Sequence, residues 1–177
     1  MSFPPGEYRT RVDRARAMMA GAGLDALLLT TEADVRYFTG FLTRFWESPT
    51  RPWFLIVPAS RDPIAVIPTI GAALMAQTWT RDIRTWRSPD YDDDGVGLLV
   101  EALKGFPAVG VPDGPETHVR MPLSNFKRLE RQLGGALRGD SGIMRALRMV
   151  KSTAEIAKIT TACQVANRAF ARVPEIA

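Results

Sequence analysis

Residues Gly23 to Phe41, GLDALLLTTEADVRYFTGF, are the part of the chain that most clearly decides its fold. Leu24 and the four residues from Ala26 to Leu29 form an almost continuous apolar run of strand length. Such a run is typical of a strand covered on both faces, because a strand with one wet face alternates between apolar and polar residues. The run therefore predicts a central strand within an α/β layer architecture.

The residues that follow the predicted strand indicate a turn into a short helix. Thr31 and Asp34 have short polar side chains that can accept hydrogen bonds from the free N–H groups of a first helical turn. Tyr37 and Phe38 supply an apolar face, and Gly40 can end the helix because a positive φ carries no steric penalty for glycine.

Strands and helices alternate along the rest of the chain. Apolar residues at three- and four-residue steps predict helices, and short β-rich runs predict strands. The predicted helices are 7–22, 69–78, 96–103 and 122–133, and the predicted strands are 53–57, 63–67, 83–86, 108–111 and 137–140. The first two of these strands are expected to form an antiparallel hairpin. The expected fold class is α/β, with a mixed β-sheet flanked by helices.

A long C-terminal helix is predicted to begin after Ser152. Ser152 and Glu155 form a capping box, in which the hydroxyl and the carboxylate each accept from a free backbone N–H. One apolar stripe then follows at helical spacing: Ile156, Ile159, Cys163, Ala166, Phe170 and Val173. Either this stripe, including Cys163, is ordinary core of the same domain, or its partner lies in sequence beyond Ala177.

Charge and composition argue against several classes of protein. The net charge is +4, but the basic residues are spread among acids, and no RNP, KH or zinc-finger pattern occurs, so nucleic-acid binding is not expected. No run of about 18 apolar residues and no secretory h-region is present, so no membrane association is expected either. A single cysteine suits a reducing compartment, and we expect a cytoplasmic protein.

An acidic segment, Asp90–Glu101, matches the EF-hand loop expression at Asp90, Asp92, Asp94, Gly95 and Glu101. Against calcium binding, Pro89 precedes the first acid, and Gly97 occupies the eighth loop position, where an apolar residue normally stands. Acids are also favoured simply at a helix N-terminus. Calcium binding is therefore the lesser of two interpretations.

Catalytic motifs are absent from the sequence. His118 is the only histidine, and there is no P-loop, dinucleotide fingerprint, GxSxG elbow or HExxH. With one histidine and one distant cysteine, neither a nucleophilic triad that uses both nor a zinc cluster can be assembled. We expect no catalytic residue and no metal ligand in this chain.

The segment from Leu42 to Arg51, called the aromatic loop below, carries Phe45 and Trp46 beside Arg44 and Arg51, and its prolines disfavour regular structure. One interpretation is that both aromatic side chains cover the edge of the core. The other is a recognition tip, in which Phe45 and Trp46 form an apolar wall and Arg51 holds a carboxylate.

Four segments together resemble a known family. They are Gly23-Leu24-Asp25-Ala26, DVRYFTGF from Asp34 to Phe41, Arg51-Pro52, and LRMVKS from Leu147 to Ser152 with Glu155. In this order they resemble the N-terminal part of the creatinase/prolidase family, peptidase family M24, which includes Xaa-Pro aminopeptidases and Xaa-Pro dipeptidases. The resemblance implies a small α/β domain at 1–150, followed at 151–177 by a linker and the first helix of a larger pita-bread catalytic domain.

The resemblance also implies where chemistry occurs in such proteins. The metal site of the family, formed by two Asp, one His and two Glu, lies in the catalytic domain, so Mn, Co or Zn ions belong to a full-length parent. The N-terminal domain of family enzymes assists dimerisation and leans over a neighbouring active site. On that basis Phe45, Trp46 and Arg51 are expected to contact substrate in trans, although several inserted residues separate the aromatics from Arg51-Pro52.

The function expected from the sequence is therefore a non-catalytic one. The chain is interpreted as the N-terminal domain of a metal-dependent creatinase or Xaa-Pro peptidase-like hydrolase, which forms a homodimer and shapes the substrate site. The alternative is a stand-alone ligand- or protein-binding module with the same fold and no hydrolase activity. The substrate stays open among proline peptides, creatine and other amidic compounds.

Overall fold

A mixed β-sheet of six strands organises the computed structural model of the chain, which describes residues 3–48 and 51–173. The strands are β1 (Ala26–Leu29), β2 (Phe54–Pro58), β3 (Ile64–Pro68), β4 (Asp82–Trp86), β5 (Val109–Val111) and β6 (Leu137–Gly139). Their order across the sheet is β4-β3-β2-β1-β5-β6. The β1/β2 and β2/β3 pairs are antiparallel, and the other pairs are parallel. The predicted hairpin and mixed sheet are confirmed.

The helices follow the predicted order, with one addition. They are α1 (Pro5–Ala22), α2 (Glu32–Thr39), α3 (Ala72–Met75), α4 (Val96–Leu103), α5 (Leu123–Leu133), α6 (Ile143–Met149) and α7 (Thr153–Ala171). Short 3-10 turns occupy Arg44–Glu47 and Thr69–Gly71. Helix α4 has the predicted bounds, whereas α6 was not predicted from the sequence.

Strand β1 is buried on both faces, as its apolar run predicts. Leu27 and Leu29 lie in the core beneath α1, α2 and α6, and Ala26 and Leu28 lie in the opposite core with α4 and α5. All four side chains are 0% exposed. Burying an aliphatic side chain of this size stabilises a fold by about 1.5–3 kcal/mol, so β1 contributes to both cores at once.

The turn after β1 forms as predicted. The Thr31 hydroxyl oxygen accepts from the backbone N–H of Asp34 at 3.3 Å and so caps α2. Gly40 then ends the helix with φ +76°, and its N–H donates to the carbonyl oxygen of Arg36. A Cβ at Gly40 would also lie 2.3 Å from the Tyr8 hydroxyl, so glycine is required for space as well as for conformation.

Helix α6 is held by Asp140 and by its own buried face. The Asp140 carboxylate accepts from the N–H groups of Gly142 at 2.8 Å and Met144 at 2.9 Å. Ile143 and Leu147 then pack into the core beneath α1 and α2. The helix was missed because it is only seven residues long and follows Gly142 directly, which obscures its periodicity.

The chain divides into two compact units, Met1–Leu147 and Arg148–Ala177. In the second unit the predicted capping box forms: the Glu155 N–H donates to the Ser152 hydroxyl at 3.1 Å, and the Ser152 N–H donates to the Glu155 carboxylate at 2.8 Å. None of the residues of α7 is buried, and Phe170 is 75% exposed. The interpretation of Cys163 as a core residue is wrong, because its side chain is exposed.

Candidate functional site

The aromatic loop leaves α2 at the Gly40 turn and is partly helical. Arg44–Glu47 forms a single 3-10 turn, and the Thr43 hydroxyl oxygen accepts from the Phe45 N–H at 3.3 Å. Pro49 and Thr50 lie outside the described residues. The chain then enters β2 through Arg51 and the buried Trp53.

The two aromatic side chains of the loop rest on Trp53, but they differ in exposure. The ring centroid of Trp46 lies 5.7 Å from that of Trp53, and Trp46 is only 7% exposed. Phe45 stacks on Trp53 at 6.5 Å with an interplanar angle of 19°, and it is 37% exposed. Trp46 is therefore part of the core edge, whereas Phe45 also offers apolar surface to solvent.

Arg51 lies close to the exposed aromatic side chain. Its guanidinium carbon is 5.9 Å from the Phe45 ring centroid, within the range of a cation–π contact. Within the described part of the chain, no carboxylate lies at ion-pair distance from Arg51. The structure thus brings the sequence-predicted residues Phe45, Trp46 and Arg51 into one cluster with an uncompensated positive charge.

Arg120 supports this cluster, although sequence reasoning did not select it. Its guanidinium donates through Nη1 to the carbonyl oxygen of Arg51 at 3.0 Å and through Nη2 to the carbonyl oxygens of Trp46, at 3.0 Å, and Ser48. The guanidinium carbon also lies 5.3 Å from the Trp46 ring centroid. The three carbonyl groups lie on either side of residues 49 and 50, so one side chain connects the middle of the aromatic loop with its last residue.

Burial lowers the pKa of Arg120 from its ordinary value, and the nearby carboxylate of Glu32 partly opposes that shift. An arginine guanidinium stays charged in proteins, so Arg120 keeps its positive charge at neutral pH. No carboxylate of the described residues forms an ion pair with it. Arg120 therefore adds a second positive charge beneath the loop.

Arg120 could not have been found by local sequence pattern, since its partners lie 69 to 74 residues earlier. The only nearby signal was its position in an irregular segment next to the single histidine of the chain, His118. That histidine is exposed, and no other feature distinguished Arg120 from the many surface arginines.

The acidic segment has structural roles that differ from calcium coordination. Asp90 accepts from the N–H groups of Asp92 and Asp93, and Asp93 accepts from the N–H of Gly97 near the start of α4. Asp93 also pairs with Arg128. Burial raises the pKa of Asp94, with smaller contributions from the charges of Asp90 and Asp93.

Metal-binding clusters are not seen in residues 3–48 and 51–173: no group of three or more His, Cys, Asp or Glu side chains is placed to hold an ion. This statement includes the EF-hand match from Asp90 to Glu101. Over the same residues, no helix is both long enough and apolar enough to cross a membrane.

A cavity of about 580 Å³ lies away from the aromatic cluster. Its lining includes Tyr8, Arg9, Leu42, Leu74, Trp79 and Arg81, but not Phe45, Trp46 or Arg51. Only the start of the aromatic loop reaches it, so the cavity and the cluster are separate features.

Residues 11–150 match the creatinase/prolidase N-terminal domain over most of the chain. The chain belongs to the creatinase/prolidase N-terminal domain family. The resemblance seen in the sequence is thereby confirmed, and the mixed sheet with flanking helices is the fold of this family.

Curated relatives include proteins described as probable dipeptidase PepE from Mycobacterium tuberculosis and Mycobacterium bovis. Each is 32% identical over 176 residues, which is 98% of this chain but 44% of the relative. The chain therefore spans less than half the length of these curated relatives.

Solved structures show the same relation. The crystal structure of dipeptidase PepE from Mycobacterium ulcerans matches with a TM-score of 0.75 and 30% identity, over 99% of this chain and 45% of that one. The creatinase/prolidase N-terminal domain of an X-Pro dipeptidase from Streptococcus pyogenes matches at 0.62 and 14% identity, over 77% of this chain and 98% of that one. At 14% identity the second match concerns the fold alone.

Proposed function

We propose that this chain is the non-catalytic N-terminal domain of a metal-dependent dipeptidase or Xaa-Pro peptidase, and that the aromatic loop shapes the substrate site. The observation that carries the proposal is the 32% identity to probable dipeptidases over 98% of this chain and 44% of theirs. The metal ligands and the catalytic residues of such an enzyme would then belong to the remaining part of a longer protein. Mn, Co or Zn are the ions that the family resemblance implies.

The aromatic loop is proposed to contact substrate bound to a neighbouring subunit. Its exposed Phe45 ring can pack against an apolar substrate side chain, and the Arg51 guanidinium can hold a carboxylate through paired hydrogen bonds. Together with Arg120, Arg51 gives this surface a positive charge that suits the free carboxylate of a dipeptide. Trp46 serves mainly to hold the backbone that presents them.

Contact in trans requires a homodimer, which is the second part of the proposal. A longer enzyme would cover the apolar stripe of α7 with its catalytic domain, but the 177-residue chain by itself exposes this stripe, since Ile156, Ile159 and Phe170 are each about half exposed or more. Apolar patches of this kind are seldom left in contact with water by monomers. An isologous contact between two copies would bury both stripes at once.

Light scattering on the purified chain tests the association directly. We expect a dimer at high micromolar concentration and a monomer for a version that ends at Lys151. Two monomeric samples would contradict self-association through α7.

An activity assay tests the rest of the proposal. The 177-residue chain should not cleave Xaa-Pro or other dipeptides with added Mn²⁺, Co²⁺ or Zn²⁺, whereas the full product of its natural gene should. Hydrolysis by the chain alone would overturn the non-catalytic assignment. A natural gene that stops at Ala177 would contradict the proposal that the chain is one domain of a longer enzyme.

A further inference from the structure

We infer that Arg120 is the positioning residue of the aromatic loop, and that it sets the affinity for the carboxylate of the substrate through Arg51. The inference rests on the proposed function for its second half only. Its first half, the fixing of the loop, follows from contacts within this chain.

The contacts of Arg120 require a guanidinium rather than any cation. Its two terminal nitrogens donate to the carbonyl oxygens of Trp46, Ser48 and Arg51, which lie on two sides of residues 49 and 50. A guanidinium presents its N–H donors in a fixed planar fork, whereas a lysine ammonium is a single point on a flexible stem. Lysine at position 120 could keep the charge but could not hold the middle of the loop and its last residue together.

The backbone of Arg120 is itself fixed to the centre of the sheet. Its N–H donates at 2.8 Å to the hydroxyl oxygen of Thr30, which directly follows β1 and is 3% exposed. The planar side chain then lies over the buried Trp46 ring. A rigid path therefore runs from β1 through Arg120 to the main chain of Arg51.

The hydrogen-bond partners of Arg120 also leave its positive charge available to a ligand. Carbonyl oxygens satisfy its N–H groups without neutralising them, and in the described residues no carboxylate pairs with Arg120 or with Arg51. Glu32 is the carboxylate whose charge acts on Arg120, and it only partly offsets the effect of burial. Two guanidinium groups that contact the same loop and have no ion-paired carboxylate are suited to a small carboxylate ligand.

The first experiment measures hydrogen exchange in this chain with Arg120→Lys and Arg120→Met, at equal global stability or after correction for it. We expect the amides of 44–48, Arg51 and Trp53 to exchange at least about tenfold faster in both variants, while the amides of β1 stay protected, because local opening is governed by local contacts. Arg128→Met, on the opposite core, is the matched control and should leave the loop unchanged. Unchanged exchange of the loop in Arg120→Lys would overturn the positioning role.

The second experiment measures dipeptide hydrolysis by the full product of the natural gene. Arg120→Lys should raise KM by about tenfold with kcat within about threefold, since a displaced Arg51 weakens binding rather than the chemical step. A fall in kcat with unchanged KM would overturn the affinity role of Arg120.

The two measurements separate the inference from the proposed function. Faster loop exchange with both constants unchanged would mean that Arg120 positions the loop, but that the loop does not contact substrate. That result would overturn the proposed in trans site and leave the positioning role intact. If the full gene product hydrolyses dipeptides but Arg120→Lys leaves the loop exchange unchanged, the inference is overturned and the proposed function stays intact.

Discussion

The aromatic loop and the acidic segment are each held by contacts with one arginine, and the two sets of contacts differ in kind. Arg120 binds main-chain carbonyl oxygens of the aromatic loop, whereas Arg128 binds the carboxylate of Asp93 and the carbonyl oxygen of Asp92 in the acidic segment. A carboxylate partner neutralises the arginine, but carbonyl partners do not. The charge of Arg128 is therefore neutralised by Asp93, while Arg120 keeps its positive charge beside the aromatic loop.

The largest expected loss of stability comes from truncating Trp53, on which the two aromatic side chains of the aromatic loop rest. Trp53 is 0% exposed and contacts Phe41, Phe45 and Trp46. Trp53→Ala should lower the free energy of unfolding by about 3–5 kcal/mol, because it leaves a large cavity. Tyr91→Ala is the control in the acidic segment: Tyr91 is 95% exposed, and its loss should change stability by less than about 0.5 kcal/mol. Urea denaturation measures the free energy of unfolding of both variants. Equal losses would contradict the expected difference between the aromatic loop and the acidic segment.

A smaller difference should separate the two arginines themselves. Arg120→Met removes three charge-assisted hydrogen bonds at a partly buried site, and we expect a loss of about 2 kcal/mol. Arg128→Met should cost about 0.5–1 kcal/mol, since its side chain and that of Asp93 are each about a third exposed and Asp93 keeps its bond from Gly97.

Salt should distinguish the same two variants. In urea denaturation at 0.1 and 1 M NaCl, the loss caused by Arg128→Met should shrink at high salt, because the Arg128–Asp93 attraction is screened. If Arg128→Met lowers the free energy of unfolding more than Arg120→Met does, the expected difference between the two arginines is contradicted.

The smallest effect concerns Asp94. Its pKa is raised in the folded state, by burial first and then by the charges of Asp90 and Asp93, so the folded protein holds this proton more firmly than the unfolded one. Its contribution is therefore present in full below the unfolded pKa and is lost as the pH rises through the folded pKa. Because the Asp94 carboxylate is partly exposed and screened by solvent, Asp94→Asn should stabilise the protein by no more than a few tenths of a kcal/mol at pH 7 and have no such advantage near pH 3. Chemical denaturation at both pH values measures this, and a destabilised variant at pH 7 would contradict it.

Local patterns were sufficient where a feature depends on neighbouring residues. The apolar run of β1, the Thr31 cap of α2 and the capping box at Ser152 and Glu155 were all predictable, because each involves residues within a few positions of one another. The bounds of α4 followed from its periodicity in the same way.

Features that depend on long-range packing were not predictable. Arg120 contacts the aromatic loop because the folded sheet brings β1, β2 and the segment beyond β5 together. The local sequence around position 120 does not indicate this contact. The contacts of the acidic segment also depend on packing, since Asp93, which the EF-hand expression ignores, is the residue that contacts Arg128 and α4. The exposure of Cys163 also depends on packing and not on helical periodicity.

The contribution of Arg51 to substrate affinity tests the central claim most directly. The measurement is steady-state hydrolysis of a dipeptide by the full product of the natural gene, comparing Arg51→Ala with Arg44→Ala. Arg44 is the matched control, because it is an exposed arginine of the same loop. We expect Arg51→Ala to raise KM by about tenfold or more with kcat little changed, as loss of a bound carboxylate contact requires, and Arg44→Ala to leave both constants near their original values. An unchanged KM in Arg51→Ala would contradict the account and leave the aromatic loop as part of the scaffold.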